Sequence, residues 1–451
     1  MRIDRDLLAR RRAEEEERFV RTHPRSAELA ARARDALVGG VPMHWMVRWA
    51  GGFPLFVDTA SGSHFTDVDG NDYVDLCLGD TGAMTGHAPP AAVDAIAAQA
   101  RRGITTMLPA AAAIAVGEEL RARFGLPRWQ FTLTATDANR IVVRLAREVT
   151  GRPKILVFNG CYHGTVDETV VRLGPDGVVR PRPGSIGPPV DPTLTTRVCE
   201  FNEIDQLDAE LSHGDVAMVL AEPAMTNVGI VLPEPGYHDD LRRVTRDHGV
   251  LLALDETHTI CCGTGGATRA WGLEPDIVTI GKPIGSGVPS GAYGLTTELA
   301  DALISRTEPD LADVGGIGGT LAGNALSLAA MEATLREILT EEAFARTIPL
   351  AERFAAGVDD VIAAAGMDWH VAVLGCRAEY RFQPTHPRTG AEALASEDPD
   401  LDAYLHLFAL NRGVLMTPFH NMALMAPTTT EGDVDRHTEV FADAVASLRS
   451  N

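Results

Sequence analysis

The sequence predicts an α/β protein: a large domain built on a mainly parallel sheet flanked by helices, plus a smaller α+β domain. Three observations predict it. From about residue 90 to 295, helical and strand patterns alternate, as they do where each strand is followed by a helix that packs back on the sheet. The strand segments are short apolar runs bounded by turn signals, as expected of strands covered on both faces. Two of them lead into residues able to do chemistry, Asp255 and Lys282, and in open α/β sheets ligands gather at the carboxyl ends of the strands. A chain of 451 residues is long enough for a large core and two or three domains.

The elements follow in order. Between Asp4 and about Leu37, Arg10-Arg11-Arg12 precedes Glu14-Glu15-Glu16-Glu17, which pairs opposite charges three and four apart on one or two solvated helices. Gly39 to Phe56 is rich in glycine and aromatic residues. Short strands are expected around Ser63–Val68 and Tyr73–Leu76, joined by the turn Asp69-Gly70-Asn71-Asp72. Ala91–Arg101, Ala110–Phe124 and Ala138–Thr150 read as helices, with a strand at Trp129–Leu133. The other strands are expected at Lys154–Phe158, Val216–Leu220, Val250–Leu254, Ile277–Ile280 and Ala292–Leu295. Gly323–Leu339 is helical again. Beyond it a helix Glu341–Ala365, strands near His370–Val373 and Ala378–Phe382, and a closing helix Glu431–Leu448 are expected. Pro384 to Pro399, rich in Pro, Thr, Gly and acids, reads as a loop. This divides the chain into an N-terminal segment 1–75 that joins the small domain, a large domain 76–330 and a C-terminal small domain 331–451. No internal repeat is visible.

The net charge of −22 argues against nucleic acid as a partner, because phosphate backbones need a basic face. No apolar run approaches the length needed to cross a bilayer, and Met1-Arg2-Ile3-Asp4-Arg5 leads into mixed charge rather than an apolar signal core. A cytoplasmic protein without a membrane partner is expected. Six cysteines in so long a chain make no disulfide scaffold, and Cys261-Cys262 lacks redox or zinc spacing. The histidines are scattered without ligand spacing, so no metal is expected.

The Asp255/Lys282 pair carries the most information. Leu251-Leu252-Ala253-Leu254 delivers a carboxylate at a strand end. Twenty-seven residues later, Lys282 stands between Ile280-Gly281 and Pro283, at a strand end entering a tight turn. A salt bridge between strand ends would use the same two residue types. So would pyridoxal phosphate, whose carbonyl carbon a lysine can hold as a Schiff base while an acid keeps the pyridine nitrogen protonated.

The surrounding motifs resemble the class III aminotransferases of fold type I, in the branch of glutamate-1-semialdehyde aminomutase and the β-amino-acid and amine transaminases. The resemblance runs from about Gly39 to the C-terminus, with the motifs in order. Asn159-Gly160-Cys161-Tyr162-His163-Gly164 is similar to the family's GCYHG turn, which implies that Tyr162 stacks on the cofactor ring. Glu222-Pro223-Ala224-Met225-Thr226-Asn227 resembles EPxxxN and implies that Glu222 and Asn227 lie near the ring and its phenolic oxygen. Asp255-Glu256-Thr257 matches DEV, with Thr257 replacing valine on the ring face away from Tyr162. Gly281-Lys282-Pro283-Ile284-Gly285-Ser286-Gly287 matches GKxxGGG with one glycine changed to Ser286. Gly319-Thr320-Leu321-Ala322-Gly323-Asn324 resembles GTxxGNP, with Ala325 in place of the proline. The family's threonine there reaches the neighbouring subunit's phosphate, so Thr320 implies a homodimer with shared sites.

The sequence departs from the family at the phosphate cup. Thr134-Ala135-Thr136-Asp137-Ala138-Asn139 stands where the family has SGTEAN or SGSEAN. The place is right, a strand followed by a helix whose first N–H groups favour an anion, so Ala135 and Thr136 are the expected phosphate holders, with hydroxyls kept at Thr134 and Thr136. His258-Thr259-Ile260-Cys261-Cys262 replaces the usual arginine or phenylalanine region after DEV. Val41-Pro42-Met43-His44-Trp45-Met46-Val47-Arg48-Trp49 aligns with the aminomutase branch's GVNSPVRAF segment, which implies either a carboxylate fork at Arg48 or, equally, an arginine paired to a surface acid, with Trp45 a substrate contact. Gly375-Cys376-Arg377 offers a second carboxylate contact, and Met416 to Asn421 an entrance segment.

These residues favour a pyridoxal-phosphate-dependent aminotransferase that moves an amino group from a β-amino acid or bulky primary amine to a carbonyl acceptor. Trp45 and Trp49 make the site bulkier than the aminomutase pattern. The alternative is an aminomutase, racemase or lyase on the same cofactor. A non-enzymatic relative would be expected to have lost Lys282 or Asp255, and both are present.

Overall fold

The computed structural model describes residues 3–187, 190–306, 316–418 and 420–449. Two compact units divide the chain. The larger comprises Pro90–Phe344 with Pro387–Ala395; the smaller comprises the residues up to Pro89, Ala345–His386 and those from Ser396 onward.

The larger unit is built on seven strands: β1 (Arg128–Thr132), β2 (Lys154–Phe158), β3 (Thr196–Cys199), β4 (Val216–Ala221), β5 (Leu251–Asp255), β6 (Ile277–Ile280) and β7 (Gly291–Leu295). Their order is β1-β7-β6-β5-β4-β2-β3. Strand β7 runs antiparallel to both neighbours, and the remaining pairs are parallel. The sheet is therefore mainly parallel, as the alternating pattern predicts.

Successive residues of each central strand enter opposite cores, the period-two consequence of the pleat. Ile155, Val157, Met218, Leu220 and Ala253 pack with Ile141, Val142 and Leu145 of helix Ala135–Thr150. Leu156, Phe158, Val219, Ala221, Leu252 and Leu254 pack on the other face with Leu241 and Val244 of helix Tyr237–Asp247. Each such buried aliphatic side chain contributes about 1.5–3 kcal/mol. Helix Ala135–Thr150 starts where the Thr134 side chain accepts the Asp137 N–H, and ends at Gly151, whose φ of 70° lets its N–H reach the Arg147 carbonyl.

In the smaller unit, helices Arg5–Thr22 and Pro24–Ala36 open the chain. A four-stranded sheet joins Val57–Ser61, His64–Asp67, Asp72–Asp75 and Val414–Leu415, and a three-stranded antiparallel sheet joins His370–Leu374, Arg377–Arg381 and Met422–Leu424. Phe19, Phe65, Tyr73, Leu407 and Leu410 form one of its apolar cores.

The segment 384–399 departs from its loop reading, because helix Gly390–Ala395 lies within it. Long-range polar contacts order it. The Glu200 carboxylate accepts the Ala391 N–H at 3.2 Å and the Asn159 side-chain amide at 2.6 Å. Arg388 pairs with Glu234, and its carbonyl accepts from Asn202. Only glycine fits at 390, where an added Cβ would stand 1.8 Å from the Asn159 carbonyl oxygen. In the expected entrance segment, Phe419 lies outside the described residues.

Candidate active site

The carboxyl ends of β4, β5 and β6 lie side by side, Ala221 paired with Leu254 and Asp255 with Thr279. They bring the segments leading to Glu222, Asp255 and Lys282 to one edge of the sheet. Asp255 is 4% exposed. Its Oδ2 accepts from the Asn139 side chain at 2.8 Å and faces His163 Nδ1 at 2.9 Å; its Oδ1 accepts the Thr257 N–H at 3.1 Å. Asn139 is itself held, donating to the His163 carbonyl and accepting from Thr279 Oγ1 at 2.6 Å. Burial pushes the Asp255 carboxyl up, but the His163 hydrogen bond and charge, with Thr257 and Asn139, outweigh it and hold the pKa down at about 2. Burial opposes a charge on His163, yet Cys161 and the Asp255 carboxylate raise its pKa well above the ordinary imidazole value. The acid is thus kept ionised inside a dry site.

Lys282 follows β6 and Gly281, in a left-handed conformation with φ 49°. For a non-glycine residue this costs about 1–3 kcal/mol and concentrates at functional sites. Its Nζ lies 2.8 Å from His258 Nε2. Glu256 turns the opposite way from Asp255, as the next residue along an extended segment does. It is fully buried and accepts from Thr259 Oγ1 at 2.5 Å and the Ala267 and Thr268 N–H groups. It therefore clamps the loop that carries His258.

The start of helix Ala135–Thr150 is closely packed by two glycines. A Cβ on Gly281 would come 2.7 Å from the Ala135 nitrogen, and one on Gly164 would come 2.0 Å from Thr136 Oγ1. The Thr134 hydroxyl, one of those expected at the phosphate, is engaged in capping, donating to Asp137 at 2.9 Å. Tyr162 keeps 42% of its surface exposed, with the Arg182 guanidinium 5.8 Å from its ring centre. Glu222 is buried and accepts from the Thr226 hydroxyl; the Asn227 side chain donates to the Gly160 carbonyl at 2.9 Å. Thr257 is buried, with a hydroxyl that meets no hydrogen-bond partner among the described residues. Thr320 is exposed, on a turn in the same unit.

Arg48 and Trp45 lie in the smaller unit, on a short 3-10 helix His44–Arg48. Arg48 is exposed, and the rings of Trp45 and Trp49 are 5.7 Å apart. Arg377 is buried in that unit, 3.5 Å from Asp80.

Sequence reasoning missed Asn139 and Thr279 as holders of Asp255, Glu256 as the clamp and His258 as the neighbour of the lysine. Two signals were available: the doublet Asp255-Glu256, since adjacent residues of a strand face opposite ways, and the departure from the family pattern at His258.

The residues present suit pyridoxal phosphate: an ionised buried acid, a lysine at the same sheet edge, a partly exposed tyrosine ring and a crowded helix start able to hold an anion. The sequence model of the class-III aminotransferases matches residues 46–445, and the chain belongs to that family. It is a fold type I enzyme dependent on pyridoxal phosphate. Glutamate-1-semialdehyde 2,1-aminomutase of Chloroflexus aggregans is 33% identical over 439 residues, 94% of this chain and 98% of that one. Among solved structures, a glutamate-1-semialdehyde-aminomutase from Pseudomonas aeruginosa PAO1 superposes with a TM-score of 0.97 at 48% identity, covering 99% of this chain and 100% of that one; a variant of it has been solved in complex with PMP. An omega-transaminase from Sphaerobacter thermophilus is more distant, with a TM-score of 0.85 and 28% identity, covering 94% of this chain and 98% of that one.

Proposed function

We propose that the protein is an aminomutase that moves an amino group between adjacent carbons of one small amino aldehyde, of the glutamate-1-semialdehyde kind. The 48% identity along nearly the whole chain with a solved protein of that name carries this reading. It replaces the sequence-based preference for transfer between two separate substrates.

Lys282 is the residue that carries the cofactor. The chain has two lysines, and the other, Lys154, opens β2 and pairs with Asp215 at 3.0 Å. The bound cofactor supplies an electron sink that lets the C–H bond beside the amine give up its proton. The Lys282 amine would take that proton and return it at the neighbouring position. Ionised Asp255 faces the ring nitrogen and favours its protonated form. Tyr162 offers a stacking face. The Ala135 and Thr136 N–H groups and the Thr136 hydroxyl grip the phosphate. Glu222, Asn227 and Thr257 would line the ring, Arg48 would take the substrate carboxylate, and Trp45 would flank it.

The working unit is a homodimer in which Thr320 serves the neighbouring subunit's phosphate. Support comes from the larger unit, where Met107 and Leu108 are each 76% exposed, Ile114 67% and Leu321 50%. The Ala325 N–H binds the Ile104 carbonyl at 2.9 Å, tying the 104–108 segment to the turn that bears Thr320 and Leu321.

The test supplies enzyme carrying the amine form of the cofactor with 4-amino-5-oxopentanoate alone. The expected result is isomerisation, with the amino group moved to the former aldehyde carbon and no second carbonyl consumed. Turnover only when a separate amine donor and keto acid are both present would overturn the reading in favour of a transaminase. The paired rings of Trp45 and Trp49 favour that second reading, because an aromatic surface suits a bulky amine.

A further inference from the structure

We infer that His258 is the proton partner of Lys282: a positioning residue that takes a proton from the lysine ammonium and returns it, so that the amine is nucleophilic when it must react. The inference rests on the proposal that Lys282 carries the cofactor. Its basis is the 2.8 Å approach of His258 Nε2 to Lys282 Nζ. Two protonated nitrogens repel each other at that distance, so the contact is an N–H···N bond in which one nitrogen accepts. In the exchange, an N–H bond of the Lys282 ammonium breaks, an N–H bond forms on His258 Nε2, and the electron pair stays on Nζ. The reverse step restores both.

The surroundings hold this geometry. Lys282 has its left-handed backbone fixed at the head of the turn Lys282–Gly285, where a Cβ on Gly285 would meet Ser290 Oγ at 2.2 Å. The residues on either side of His258 are tied to Asp255 and Glu256. Upstream, Asp255 accepts the Thr257 N–H. Downstream, Glu256 accepts the Thr259 hydroxyl, and its carbonyl accepts the Ile260 N–H at 2.9 Å. Imidazole is the side chain whose ordinary pKa lets it accept and release a proton near neutrality. Asp255 is engaged with His163 and Asn139 and Glu256 with its clamp, while His258 Nε2 stands at hydrogen-bond distance from the lysine.

The test measures how fast enzyme stripped of cofactor captures added pyridoxal phosphate, read by absorbance, with retention of the captured cofactor measured separately. Borohydride reduction and peptide mass then identify the lysine labelled. In His258→Gln and His258→Ala, capture at neutral pH is expected to slow by about tenfold or more, the low side of general acid–base effects. Retention should change little. Added imidazole is expected to restore part of the rate to His258→Ala and none to His258→Gln, whose side chain fills the space. Capture at the normal rate in both variants would overturn the inference. So would slow capture without imidazole rescue and with weakened retention, which marks a packing role. Label on Lys154 instead of Lys282 would overturn the cofactor assignment itself, a result separate from either outcome at His258.

Discussion

Asp255 is a charge placed where charge is costly, and its neighbours show how it is kept. Three hydrogen-bond donors, one of them His163, offset the burial and favour the ionised carboxylate at neutral pH. Asp255→Asn keeps the shape and removes the charge. It should lower kcat/KM by about tenfold to a hundredfold, the equivalent of losing a charge-assisted hydrogen bond of about 1.5–3 kcal/mol. Steady-state kinetics on cofactor-loaded variant would test this, and an unchanged kcat/KM would remove Asp255 from the ring nitrogen. Asp255 and Lys282 were legible in the sequence because each is announced locally, by an apolar run or by a glycine–proline frame. Their supports were not. His163 and Asn139 reach Asp255 across 92 and 116 residues, Thr279 reaches Asn139 across 140, and nothing near Asn139 in sequence tells that its amide serves a strand end elsewhere. His258 was visible as a departure from the family pattern, but its contact with Lys282 depends on the curl of the loop that Glu256 clamps.

At the scale of elements, most apolar strands of the large sheet were readable because burial writes a period into the sequence, but helices Tyr237–Asp247 and Pro399–Leu410 were not expected although apolar side chains bury both. Helix Gly390–Ala395 was missed for a different reason: it depends on Glu200, Asn202 and Glu234 from distant segments. Helix Pro399–Leu410 in the smaller unit holds a further polar group at a cost. Asp402 accepts from the Asn421 side chain at 2.7 Å, yet burial pushes its carboxyl up to about 6. A folded-state acid with a raised pKa holds its proton more tightly than the unfolded chain does. Stability is therefore lost as pH rises from about 4 to about 6 and stays lower above that. A shift of about two units corresponds to about 3 kcal/mol at most. Asp402→Asn should thus stabilise the protein at pH 8 by up to about 3 kcal/mol and confer no gain at pH 4. Thermal melting of both proteins at the two pH values would test it; a gain that does not change with pH would show that Asp402 is not the titrating group.

At the scale of the whole molecule, Met107, Leu108, Ile114 and Leu321 expose apolar side chains that the proposed homodimer would cover. The turn that presents Leu321 also presents Thr320, so the face that makes the contact would carry a residue into the partner's site. Two consequences follow from a twofold arrangement, in which each subunit gives the other what it receives. First, light scattering should report about twice the 48.2 kDa of one chain, and Leu108→Asp with Leu321→Asp should yield a folded, inactive monomer. Second, Lys282→Ala and Thr320→Ala, each defective alone, should complement. In a mixed dimer, the site with an intact Lys282 receives an intact Thr320 from the other subunit, while the second site lacks both. Random assortment of equal amounts makes half of the dimers mixed, with one good site in each, so about a quarter of full activity should return. The mixture must be unfolded and refolded together, or co-expressed, so that subunits exchange. Recovery no greater than the mean of the two separate variants would mean that Thr320 acts within its own chain, and the shared site would have to be abandoned even if the protein proved dimeric.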